Sequence, residues 1–212
     1  MFAKKTISGS PVRVERQVAR RHIVRIRWVF RTAALFCAVL GTAVPQAAPQ
    51  SSPSEYQVKA AFLYNFAKFV EWPGGTFASP SSRFKFCVFG EDPFGKALDD
   101  ALLGKKVAEH PVELLRARKL SDLDGCQVVF IGSSESGHLP DAVERLRGRN
   151  VLLVGEGEEF AGAGGTIQFF LQDNRVRFAI NPDAASRAGL KISSKLLALA
   201  SVVHDGGSGG KN

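Results

Sequence analysis

The sequence predicts an α/β domain in which a mostly parallel sheet lies between helices and ends in an antiparallel C-terminal hairpin. Three observations carry that expectation. A long helical pattern opens the region after residue 54. A strand, glycine turn, helix order then repeats through Arg83–Leu103 and Cys126–Leu146 before another apolar run at 150–155, as crossover-connected parallel strands require. Finally, the strand-like runs 165–171 and 175–181 are separated only by Gln172, Asp173 and Asn174, which reads as a hairpin.

Taken in order, EYQVKAAFLYNFAKFVEWP (55–73) places Val58, Phe62, Phe66, Phe69 and Val70 on one helical arc and Gln57, Lys68 and Glu71 opposite, with Ser54 as N-cap and Pro73 as stop. The arc is about 180° wide against the ~100° a surface helix needs, so a helix over 55–72 should touch two surfaces. Lys59 intrudes on it and reads as a snorkelling side chain, an ion pair with a distant carboxylate being the alternative. RFKFCVFG (83–90) reads as a buried strand, and GEDPFG then offers Asp92 as cap and Pro93 as first residue of a helix through Leu103. Residues 105–108 and 112–116 are short strand candidates. CQVVFIG (126–132) is the clearest central strand; SSESG leads from it into a helix over 139–146 and then to a strand at 150–155. After the hairpin, Asn181 or Asp183 with Pro182 opens a last helical region, broken near Gly189 and resumed as SSKLLALASVV, with 204–212 a flexible tail.

Charge has to be divided before it is interpreted. Of 28 Lys and Arg, nine precede residue 48, as does one of the 20 acids, Glu15. That basic stretch, the apolar run 32–44 and the small residues Ala47 and Ala48 describe a cleaved signal peptide over 1–48, followed by a Pro/Ser-rich disordered arm at 49–54. What remains has 19 basic and 19 acidic residues. The pI of 9.7 therefore belongs to the targeting segment, and the basic footprint of a nucleic-acid-binding protein is missing. Cys37 leaves with the leader, so Cys87 and Cys126 are the two cysteines of the exported chain. Pairing them in an oxidising compartment is the economical reading, two separately buried thiols the alternative; a closed loop of this length is worth ~4 kcal/mol in the chain-entropy model.

Ligand crevices of open α/β sheets lie beyond the carboxyl ends of the strands, here the loops 90–95, 132–137 and 155–165. GEDPFG has the glycines of a phosphate turn, but Glu91 and Asp92 would repel the phosphate. Ser133, Ser134 and Ser136 could bind a small anion or polar ligand, or simply form a turn and cap; as nucleophiles they lack a base whose position the sequence fixes. Glu156, Glu158 and Glu159 read as a solvated loop face. His110, His138 and His204 are scattered without ligand spacing, so neither a metal site nor another cofactor is expected, and no enzyme class is favoured.

VKAAFLYNFAKFVEWP, CVFGEDPFG, CQVVFIG, GGTIQFF, RVRFAINPDAA and LKISSKLLALASVV together give residues 55–203 a resemblance to the YfiR-like family of small periplasmic proteins. The resemblance implies a Rossmann-like three-layer α/β domain and a regulator that represses a membrane diguanylate cyclase by binding its periplasmic sensor region. It also implies redox-sensitive repression relieved by an outer-membrane lipoprotein, and a homodimer. Cys87 and Cys126 match a family disulfide, whereas a second pair carried by relatives around the segment matching 160–170 is absent here. Candidate partner-binding residues are Phe62, Phe66, Phe69 and Trp72 on the first helix and Leu196, Leu197 and Leu199, with Val202, on the last, ordinary core packing being the alternative for each. The competing function is binding of a small ligand at the 132–137 and 155–165 loops.

Overall fold

The computed structural model describes residues 53–206; the predicted leader, most of the arm and the last six residues of the tail lie outside them. The first helix, α1, is Glu55–Lys68. Ser54 caps it reciprocally: its side chain accepts from the Gln57 amide, and Gln57 accepts from the Ser54 amide at 2.7 Å. Ala60, Leu63, Phe66 and Ala67 form its buried face.

α1 stops four residues short of the expected 72. The Phe69 N–H closes the last turn onto Asn65 and Phe66, and Val70–Glu71 becomes a short strand, β1. β1 pairs antiparallel with β9, Lys191–Ile192, which gives β-branched Val70 a buried place. Pro73 also disfavours helical geometry at Trp72.

The main sheet has eight strands: β2 (Phe84–Phe89), β3 (Lys106–Val107), β4 (His110–Ala117), β5 (Val128–Ile131), β6 (Leu152–Glu156), β7 (Ile167–Gln172), β8 (Arg175–Ile180) and β10 (Ser201–Val202), in spatial order β10-β8-β7-β6-β5-β2-β4-β3. Neighbours are parallel except at the β7–β8 hairpin and the β3–β4 corner. The hairpin turns on Asp173 and Asn174 alone, both with positive φ (50° and 57°), the backbone of a two-residue turn that follows the twist of its strands. The fold is thus the mixed α/β class the sequence predicts.

Alternation along the strands builds two cores. Phe84, Phe86 and Val88, with Val128, Phe130, Leu152, Val154, Phe169 and Phe178, face α1 and α2 (Lys96–Leu102). Cys87, Phe89, Val129, Ile131 and Leu153 face the 3₁₀ turn Leu120–Leu123 and α3, Leu139–Leu146. α2 starts later than expected because Asp92 accepts from the amides of Phe94 and Gly95 and so caps a turn before the helix. After α4 (Pro182–Arg187), capped by the Asn181 side chain, the expected final helix shrinks to α5, Ser194–Leu197. Its remainder turns into β10 and extends the sheet alongside β8.

Candidate functional site

Two places in the fold were expected to carry function: the crevice beyond the carboxyl ends of the strands and an apolar surface on the first and last helices. After β2 the chain adds β4 on one side and then returns to add β5 on the other, so the order of strand addition reverses at β2, between the parallel strands β4 and β5. Ligands settle at such a point only if its loops splay apart. Here they close on each other. The Ser134 hydroxyl accepts the Glu91 amide at 3.1 Å, a Cβ on Gly132 would stand 2.8 Å from the Glu91 carbonyl, and one on Gly90 would meet the Glu135 side chain at 2.3 Å.

Ser133, Ser134 and Ser136 are exposed on a 3₁₀ turn, Ser133–His138, that runs directly into α3. Glu135 bonds His138 at 2.9 Å. The neighbouring loop is filled from within. Phe160 is buried against Gly155 and Gly165, where a Cβ would approach the ring to 2.3 Å and 2.1 Å. These glycines admit an aromatic plug belonging to the chain itself. A cavity of about 340 Å³ lies at the other end of the sheet, between Phe77, Arg83, Lys85, Glu113 and Gln127. Among the described residues no three His, Cys, Asp or Glu side chains gather as a metal site would require.

Lys59 corrects the sequence reading. It does not snorkel: it is buried and bonded to Glu55 on the same helix and to Glu156, 2.8 Å away at the end of β6. The Tyr56 hydroxyl donates to the other Glu156 oxygen at 3.3 Å, and the Tyr56 ring lies 4.6 Å from the Lys59 ammonium. Burial lowers the lysine pKa, but the hydrogen bonds it donates to Glu156 and Glu55 outweigh it and hold the group above its ordinary value. Burial, then the Glu156 charge, pushes the Tyr56 phenol up. Glu156 is therefore no solvated loop carboxylate; it ties α1 to the central sheet. The signal was available, since a lysine inside an apolar arc needs a carboxylate and Glu156 directly ends an apolar strand.

The apolar surface divides. Phe66 and Leu196 are core residues and face no partner. Phe62 is half-buried among Phe66, Phe169 and Phe178; Trp72 stacks edge-on to Phe84 at 5.0 Å and donates its indole N–H to the Ala67 carbonyl. Leu197 is half-buried. Phe69, Leu199 and Val202 are 40%, 74% and 50% exposed. The Ser193 amide bonds the Phe69 carbonyl at 3.0 Å, which brings the C-terminal segment carrying Leu197 and Leu199 against the end of α1. Cys87 and Cys126 are bonded to each other within the second core, Cα atoms 6.1 Å apart and both side chains buried. Among the described residues no helix is long and apolar enough to cross a membrane.

Comparison with solved structures finds distant likenesses: the ABC domain in complex with L-Trp from Streptococcus pneumonia (10% identity, 68% of this chain and 61% of that one, TM-score 0.46) and a conserved domain protein from Vibrio cholerae O1 biovar eltor (12%, 72% and 61%, TM-score 0.45). The chain spans 61% of the length of each. A family model described as YfiR/HmsC-like matches residues 56–201. The chain belongs to the YfiR/HmsC-like family, a family of periplasmic regulators of cyclic di-GMP signalling.

Proposed function

We propose that this member of the YfiR/HmsC-like family binds the periplasmic sensor region of a membrane diguanylate cyclase and represses cyclic di-GMP synthesis. It reaches the periplasm through a cleaved signal peptide, acts as a homodimer without enzymatic activity, and is displaced by an outer-membrane lipoprotein. The observation that carries the reading is the exposure of three apolar side chains, Phe69 at the end of α1 and Leu199 and Val202 in the C-terminal segment that bonds to it through Ser193; Phe62, Trp72 and Leu197 are half-buried on the same two segments. Repression is a population shift, in which the protein binds the inactive sensor state more tightly than the active one. The small-ligand alternative has less support, because the loops that would hold the ligand are closed by the Ser134–Glu91 bond and filled by Phe160.

The test is cellular cyclic di-GMP in the native host. Deletion should raise it, and restoring the wild-type gene should lower it again. A Phe69→Glu, Leu199→Glu double variant, exported at the wild-type level, should leave it raised. An unchanged level on deletion overturns the repressor reading; full rescue by the double variant overturns the surface.

A further inference from the structure

β4 presents an open sheet edge whose hydrogen-bonding parity can be read from its two ends. Along a strand, alternate residues turn both N–H and C=O to the same side. The Ala117 carbonyl accepts from the Gly90 amide beside β2, so the odd residues of β4 face inward. The Val112 amide instead donates outward to the Lys105 carbonyl at 3.0 Å, so the even residues face out. β3 pairs only with His110 and Pro111. Leu114 and Arg116 consequently present free N–H and C=O groups along the outer edge, a row that pairs readily with another strand. Beside them Leu115 is 40% exposed.

We infer that this edge is where two copies of the chain join, β4 against β4 antiparallel about a two-fold axis through Leu115. Self-complementarity selects the occupant and fixes the register. A two-fold axis perpendicular to the sheet keeps each side chain on its own face, so residues opposite one another must have the same parity. Centring the axis on Leu114 would pair Arg116 with Val112, whose amide is already taken by Lys105. Centring it on Arg116 would set two guanidinium groups side by side. Centred on Leu115, Leu114 of each copy pairs with Arg116 of the other, and the free N–H and C=O groups of these two residues are satisfied without displacing a bond.

The side chains agree with that register. Leu115 meets its own symmetry mate. Glu113 falls opposite Ala117 and diagonal to Lys119 of the second copy, a distance long side chains span; neither Glu113 nor Lys119 has an ion pair within its own chain among the described residues. Arg116 stays clamped by Asp92 and Asp99 on its own copy, at 2.7 Å and 2.6 Å, so its stem is held in place to cover Leu114 of the other. The inference rests on the self-association proposed above and is independent of cyclase binding.

The test is the mass of the purified exported protein in solution, followed by cysteine crosslinking. In the proposed register two Leu115→Cys thiols sit on the axis with Cα atoms about 4.5 Å apart, within disulfide reach. Mild oxidation should therefore link Leu115→Cys to itself, while Leu103→Cys, 79% exposed on the loop after α2, should remain unlinked. Leu115→Lys, an exposed change that leaves the fold intact, should weaken the dimer about tenfold or more by placing like charges on the axis. A monomeric wild-type protein overturns this inference and the self-association it rests on, leaving cyclase repression untouched. A dimer that neither links at Leu115 nor responds to Leu115→Lys overturns the β4 register alone.

Discussion

Lys59→Met removes the cation that holds Glu156 and Glu55 while keeping an unbranched side chain of similar length. Breaking a fully buried ion pair by deleting one partner costs about 3–5 kcal/mol, because the other charge is left desolvated. Here the acidic side chains are 18% and 37% exposed, and water reaching them reduces the loss to about 2 kcal/mol. In a domain of this size that lowers Tm by about 4–8 °C. The Lys59→Met, Glu156→Gln double variant should cost less than the sum of the single changes, the coupling being about 1–2 kcal/mol. Urea unfolding followed by circular dichroism measures all four corners of the cycle. Alkali gives an independent readout. Both Lys59 and Tyr56 have folded-state pKa values raised above the ordinary 10.5 and 10.0, so the folded state holds its protons longer than the unfolded chain. Their stabilisation is complete below about pH 10 and is lost as pH climbs through the folded values. Lys59→Met should remove the lysine's part of that alkaline decline and leave the Tyr56 part, since Lys59 itself draws the Tyr56 pKa down. A single variant within 0.5 kcal/mol of wild type, or a cycle with no coupling, would refute the reasoning that this pair anchors α1 to β6.

Two further predictions concern the other core face. Replacing Cys87 and Cys126 together by Ser should cost about 3–4 kcal/mol, and because both sulfurs are buried, thiol reductants should cleave the native bond only at the rate of unfolding, measurable by alkylation and mass shift. Gly165→Ala should destabilise by about 1–3 kcal/mol, since its Cβ would collide with the Phe160 ring at 2.1 Å; pairing it with Phe160→Ala, which vacates the space, should cost less than the two changes added together in thermal unfolding.

Much of the sheet was legible because its strands are bounded by local signals. RFKFCVFG alternates and then runs apolar, CQVVFIG is apolar but for Gln127, and each ends in a glycine turn; the α3 limits, Leu139–Leu146, follow from the helical spacing of Leu139, Ala142, Val143 and Leu146. The two-residue Asp173–Asn174 turn likewise follows from residue types that tolerate positive φ. The ion pair was half legible: a lysine inside an apolar arc calls for a carboxylate, but which one depends on the sheet order that brings Lys59 to Glu156 across 97 residues. The plugged crevice was not legible, since Phe160 lies between two glycines whose purpose shows only once the loop is closed.

Two of the boundary differences, at the end of α1 and in the last helix, have a single physical origin. Helical periodicity continues through Phe69, Val70 and Trp72 and again through SSKLLALASVV, so local preference extends both helices. Tertiary pairing cuts them short: β1 with β9, and β10 with β8. Beside these pairings Phe69, at the end of α1, and Leu199 and Val202, in the C-terminal segment, stay exposed. Where local preference loses to global pairing and the result is exposed apolar surface, the exposure itself calls for a reason. On the function proposed above a partner covers it, so these residues are where the regulatory contact should be sought first.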